Sequence, residues 1–144
     1  EVEVDTHVTA LLQHRDGALT TLVVSFDVQA SRLPLIEVYG TAGTLAVPDP
    51  NQFDATVAVA HRRGEDFTPL EPSAGHAGTG RGIGLADMVR ALRAGTAHRQ
   101  DVALGLHVHE VMEAVLTSSA DGSPVRVSAG CERPEPVPYE AHPA

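Results

Sequence analysis

Two histidines and a glutamate fall close together at His107-Val108-His109-Glu110, and imidazoles beside a carboxylate would suit a divalent metal if their side chains converged. The surrounding apolar spacing is helical, and on a helix residues two apart point about 200° away from each other. His107 is therefore expected beside the buried stripe, His109 near solvent, and no metal site is assigned. Nucleophilic chemistry has no better footing. The chain has no Gly-x-Ser-x-Gly elbow, and Cys131 adjoins a proline-rich stretch. All ten basic residues are arginine, so an ammonium proton donor or a Schiff-base lysine cannot come from this chain. No catalytic residue is assigned.

The glycines of 75–84 superficially resemble a phosphate-binding loop. A dinucleotide fingerprint needs a strand before the glycines, a helix after them and an acidic residue closing the next strand, and that order is not convincing here. A hinge or lid is the better reading, with no cofactor held by this chain. Polar groups at strand ends and in this loop, Asp27, Gln29, Arg32, His76 and Arg81, are the candidates for hydrogen bonds to a hydroxyl-rich ligand. Solvated surface is the competing reading for the same five residues.

The elements that must position these groups follow from periodicity. From Val2 to Leu12 apolar residues recur on alternate positions, Asp16-Gly17 supplies a reversal, and Leu19 to Val28 is again β-rich, which predicts a hairpin. A second hairpin is expected from Leu35 to Tyr39, through Gly40-Thr41-Ala42-Gly43, and back along Thr44 to Val47. Ala55 to Ala60 predicts a fifth strand and Phe67 to Leu70 a weaker one, while Glu71 to Gly80 reads as a mobile surface loop. The period then lengthens. Leu85, Met88, Val89 and Leu92 share a helical face ending near Gly95. Asp101 is expected to cap a second helix with a stripe of Leu104, Val108, Val111 and Val115, ending at Asp121-Gly122. Val125 to Val127 suggests a last short strand.

Strands followed by helices predict an α+β domain over 1–130, a mostly antiparallel open-faced sheet with two helices packed on one face, and a proline-rich extended tail over 131–144. The second sheet face also carries apolar groups, among them Leu11, Leu19 and Val23, so a homo-oligomer through the open face is expected. A formal charge of −9 at pH 7, with arginines scattered along the chain, argues against nucleic acid. No run is apolar enough to span a membrane, one cysteine permits no intrachain disulfide, and the acidic start is unlike a secretory signal, so a cytoplasmic setting is expected.

Two segments together resemble the C-terminal domain of the glucose-fructose oxidoreductase, inositol dehydrogenase and rhizopine catabolism (Gfo/Idh/MocA) oxidoreductase family. The first is Ile36-Glu37-Val38-Tyr39-Gly40-Thr41-Ala42-Gly43-Thr44-Leu45, continuing through Val47-Pro48-Asp49-Pro50-Asn51. The second runs from Arg81-Gly82-Ile83-Gly84-Leu85-Ala86-Asp87-Met88 to Gly95, then His98-Arg99, then Leu106 to Ala114. The resemblance implies a parent with an N-terminal Rossmann domain for NAD or NADP, acting on a sugar or cyclitol hydroxyl, and a C-terminal domain that shapes the substrate pocket and forms the oligomer contact. It also implies a lysine in a Glu-Lys-Pro signature, and this chain has no lysine. The family's aspartate and histidine pair is not carried over to Asp5 or His7, which lie in a strand pattern. On this reading the chain is a substrate-binding and oligomerisation domain, not catalytic alone. The alternative is a stand-alone binding or scaffold protein derived from that domain.

Overall fold

Eight elements follow one another in a computed structural model that describes residues 2–75 and 78–137. They are β1 (His7–Gln13), β2 (Leu19–Ser25), β3 (Ile36–Gly40), β4 (Gly43–Val47), β5 (Ala58–Ala60), β6 (Thr68–Pro69), α1 (Ile83–Ala94) and α2 (Val102–Asp121). The fold is α+β with antiparallel strands. These fall into two sheets, a ribbon of β1 and β2 and a meander in the order β3-β4-β5-β6.

The ribbon closes where Asp16-Gly17 placed it. Gly17 has φ 93, a left-handed value that costs a residue without Cβ little, its N–H donates to His14 O at 3.0 Å, and the Asp16 side chain accepts from Ala18 N at 3.1 Å. His7 pairs with Ser25 and Gln13 with Leu19, a register that puts Leu11, Leu19 and Val23 on one face. Their exposures are 68%, 63% and 48%, so this apolar face meets solvent in the isolated chain. Val8, Ala10, Leu12 and Leu22 form the other face and are half-buried.

In the meander the register aligns Val38, Leu45, Val59 and Thr68 across four strands. Val59, central in that row, is the only buried apolar residue among those described. Burial is sparse throughout. The chain presents 12161 Å² of accessible surface, against roughly 7,100 Å² for a compact monomer of its mass.

The helices are bounded by their predicted caps. Asp101 accepts from Ala103 N at 2.9 Å at the start of α2, and Gly122, with φ 62, ends it. Gly95 ends α1 with φ 68, and Thr96 N donates to Ala91 O at 3.0 Å, the longer closing bond of a Schellman turn. Ala103, Leu104, His107, Glu110, Val111, Ala114, Val115 and Ser118 make a half-buried stripe on α2, with Val108 turned out at 49% exposure. On α1 the inward side is Ile83, Ala86, Asp87, Met88 and Ala91. Leu85, Val89 and Leu92, grouped with Met88 by spacing, are 66%, 37% and 64% exposed, and the inward side instead carries Asp87, which meets Arg99.

The expected strand at Val125 to Val127 does not form. Residues 123–137 have no helix or strand, and the next main-chain groups along, at Ser128 and Ala129, bond to side chains of α2 and not to a neighbouring strand. No helix among the described residues is long and apolar enough to cross a membrane.

Candidate functional site

Four of the five candidate residues are placed, and His76 lies outside the described residues. Asp27 lies two residues past the end of β2. Its carboxylate accepts from the Thr6 hydroxyl while its own N–H donates to Ser25 Oγ at 3.1 Å, so it ties the open end of the ribbon together. Gln29 and Arg32 lie exposed in the connection to β3, without side-chain partners among the described residues. Arg81, just before α1, donates from Nη2 to Asn51 Oδ1 at 3.3 Å. Asn51 is held in turn by Asp49, whose Oδ1 accepts from Asn51 N at 2.9 Å and Nδ2 at 3.2 Å. The structure joins Arg81 to the Pro48–Asn51 turn and Asp27 to Thr6. It makes no bond among Asp27, Gln29, Arg32 and Arg81 themselves.

A shallow depression of about 470 Å³ that the spacing of the sequence did not reveal lies at the turn end of the meander. Glu37 and Tyr39 of β3, Thr44 of β4, and His61, Arg63 and Phe67 of the β5–β6 hairpin line it. The close approach of strands here depends on Gly43, since a Cβ at that position would sit 2.6 Å from Ala60 O. His61 donates from Nδ1 to Ala42 O at 3.3 Å, which orients the ring along the edge of the turn. The Tyr39 hydroxyl donates to the Glu37 carboxylate; that bond, then the nearby negative charge, raises the phenol above its ordinary range. Arg62 binds back to Glu65 at 3.8 Å, a long and exposed pair. The only signal for this place in the sequence was His61-Arg62-Arg63, three cationic or titratable groups in an acidic chain.

Glu110 and His107, considered as metal ligands, are occupied otherwise. His107 Nδ1 donates to Ala129 O at 2.7 Å, and Glu110 accepts from Ser128 N, Ser128 Oγ and Ala129 N at 2.7, 2.7 and 2.6 Å. These bonds hold the Glu110 carboxyl below the usual carboxylate range, the Ser128 N–H contributing most. His109 is exposed, and no group of three His, Cys, Asp or Glu side chains gathers as a metal site among the described residues.

Chemically, the placed groups offer hydrogen-bond donors and acceptors and shallow apolar contact. Among the described residues they do not bring an acid, a base and a nucleophile to one point. No protein-family model matches the chain, and no curated protein or solved structure matches it.

Proposed function

We propose that this chain is the substrate-binding and oligomerisation domain of an NAD(P)-dependent oxidoreductase acting on a sugar or cyclitol hydroxyl. The Rossmann domain and the catalytic lysine of that enzyme lie outside this chain. One observation carries most weight. Arg81 opens the second segment that resembles the Gfo/Idh/MocA oxidoreductases, Asn51 closes the first, and the two are hydrogen-bonded although 30 residues apart. The bond brings together the ends of two segments that each resemble one family, as parts of one substrate domain would be.

The chemistry of the whole enzyme is hydride transfer between a secondary alcohol carbon and the nicotinamide, with the hydroxyl proton taken by a group of the missing domain. This chain contributes walls. Arg81 and Asn51, together with the exposed Gln29 and Arg32, are donors and acceptors available to ligand hydroxyls. The apolar ribbon face of Leu11, Leu19 and Val23 supports the oligomeric part of the reading, because a face this exposed is stabilised by a second subunit. A cytoplasmic setting accompanies the proposal and fits a lone, half-buried Cys131.

The test is calorimetry on the chain with NAD and NADP, beside the same titration of the encoded full-length protein. Binding by the full-length protein and none by the chain is the expected result. Low-micromolar nucleotide binding by the chain itself would overturn the assignment.

A further inference from the structure

We propose that residues 128–137 form a clasp that sets the conformation of the loop ending at Gly75, with Arg99 as its positioning residue. This goes beyond the enzymatic reading and does not depend on it.

The segment has no strand partner, yet main-chain groups at both of its ends are taken up. Glu110 receives the N–H groups of Ser128 and Ala129, and His107 donates to Ala129 O. Farther along, Arg99 Nε donates to Glu135 O at 2.8 Å and Nη2 to Pro136 O at 3.2 Å. Gly75 N then donates to Val137 O at 3.2 Å. Val127, Ala129 and Cys131 are half-buried while Ser128, Gly130 and Glu132 are exposed, the alternation of an extended chain with one face laid on the protein.

Prolines explain why side chains do this work. Pro134 and Pro136 have no N–H, so the segment cannot run a regular ladder there and leaves carbonyls as acceptors. The flat guanidinium fork fits the need. Its donors point in fixed, divergent directions, and Arg99 uses them on two successive carbonyls and on the Asp87 carboxylate of α1. Arg99 also lies two residues before Asp101, the cap of α2, so the far end of the clasp is fixed to both helices at once.

What the clasp holds is the loop. Gly75 has φ 95, a left-handed value that glycine adopts at little cost, at the point where its N–H meets Val137 O, and six residues on in the sequence Arg81 bonds Asn51. Releasing Val137 removes the main-chain bond that Gly75 N makes to it, and the loop is then freer to sample other conformations.

The experiment is amide hydrogen exchange by NMR, with limited cleavage after Glu71 by a glutamate-specific protease, on the chain, on Arg99→Met and on a chain ending at Pro134. In both variants the Gly75 amide is expected to exchange about tenfold faster, the loss of one hydrogen bond of ordinary net strength. Cleavage after Glu71 should quicken by a similar factor, while amides in the middle of α2 stay protected. Unchanged cleavage after Glu71 in the shortened chain overturns the proposal, because that variant keeps the Arg99 to Asp87 pair and lacks the Glu135, Pro136 and Val137 carbonyls. Should Arg99→Met lose its helices, the shortened chain decides alone.

Discussion

Asp87 on α1 and Arg99 before α2 face each other, the carboxylate Oδ1 receiving Nη1, with side-chain exposures of 17% and 27%. The pair joins two helices whose other contacts are few, and it lies between a surface ion pair and a buried one in its access to water. Removing the carboxylate leaves a guanidinium that is largely out of solvent without its counter-charge. Asp87→Ala is predicted to cost about 2 kcal/mol, less than a fully buried pair would because water still screens the charges. Urea denaturation followed by circular dichroism checks this, and a change within the error of the midpoint would show that the pair is dispensable.

Glu110 carries the pH dependence of the second attachment. Its folded pKa is depressed by the Ser128 and Ala129 bonds, so its contribution is present above the unfolded carboxylate pKa and disappears as pH falls through the lower folded value. At neutral pH Glu110→Gln should therefore melt below the native chain. The difference should shrink on acidification past the ordinary carboxylate range and vanish once Glu110 itself is protonated. Melting curves from neutral to strongly acid pH read this directly. A difference that stays constant with pH would mean that the charge is not what holds Ser128.

Among the glycines described, Gly43 is the one whose added Cβ would meet a neighbour's backbone closer than 3 Å. With φ 152 and Ala60 O 2.6 Å from the position of an added Cβ, Gly43→Ala must part β4 from β5 or strain the turn. A loss of about 1–3 kcal/mol is expected, the usual cost of holding a residue in a poorly populated backbone region. Gly64→Ala serves as the comparison. It also has positive φ, at 83, but nothing lies within 4 Å of its added Cβ, so it should cost less.

The parts of the fold that could be read from sequence are those with local causes. Asp16-Gly17, the Gly40 to Gly43 turn, Asp101, Gly95 and Gly122 each act within a few residues of themselves, and each reversal or cap is where the spacing put it. What escaped depends on distant partners. The inward side of α1 is chosen by Asp87 meeting Arg99, 12 residues on, and the strand expected at Val125 to Val127 gives way to a segment bonded to Glu110, 18 residues back. The candidate site divides in the same way. Residue type marked Asp27 and Arg81 as hydrogen-bonding groups, but only the folded chain shows that Thr6 and Asn51 engage them, and the depression beside Tyr39 arises from a hairpin whose approach no periodicity records.

Leu11, Leu19 and Val23 share a ribbon face, which makes self-association a quantitative expectation. Light scattering of the chain should give at least a dimer at micromolar concentration. Leu11→Glu with Val23→Glu should reduce it to monomer without loss of helix signal, since both side chains already meet water in the isolated chain. A monomer before mutation would remove the oligomeric part of the assignment.

The central claim is that this chain serves a nicotinamide-dependent enzyme, and nicotinamide absorbance tests it most directly. The encoded full-length protein is mixed with NAD or NADP and a panel of sugars and cyclitols, and reduction is followed beside the isolated chain. Reduction that depends on the polyol in the full-length protein, and none in the chain, is the predicted result. A full-length protein that binds neither nucleotide, or an encoded polypeptide no longer than this chain, would contradict the claim and leave a non-catalytic binding or scaffold protein in its place.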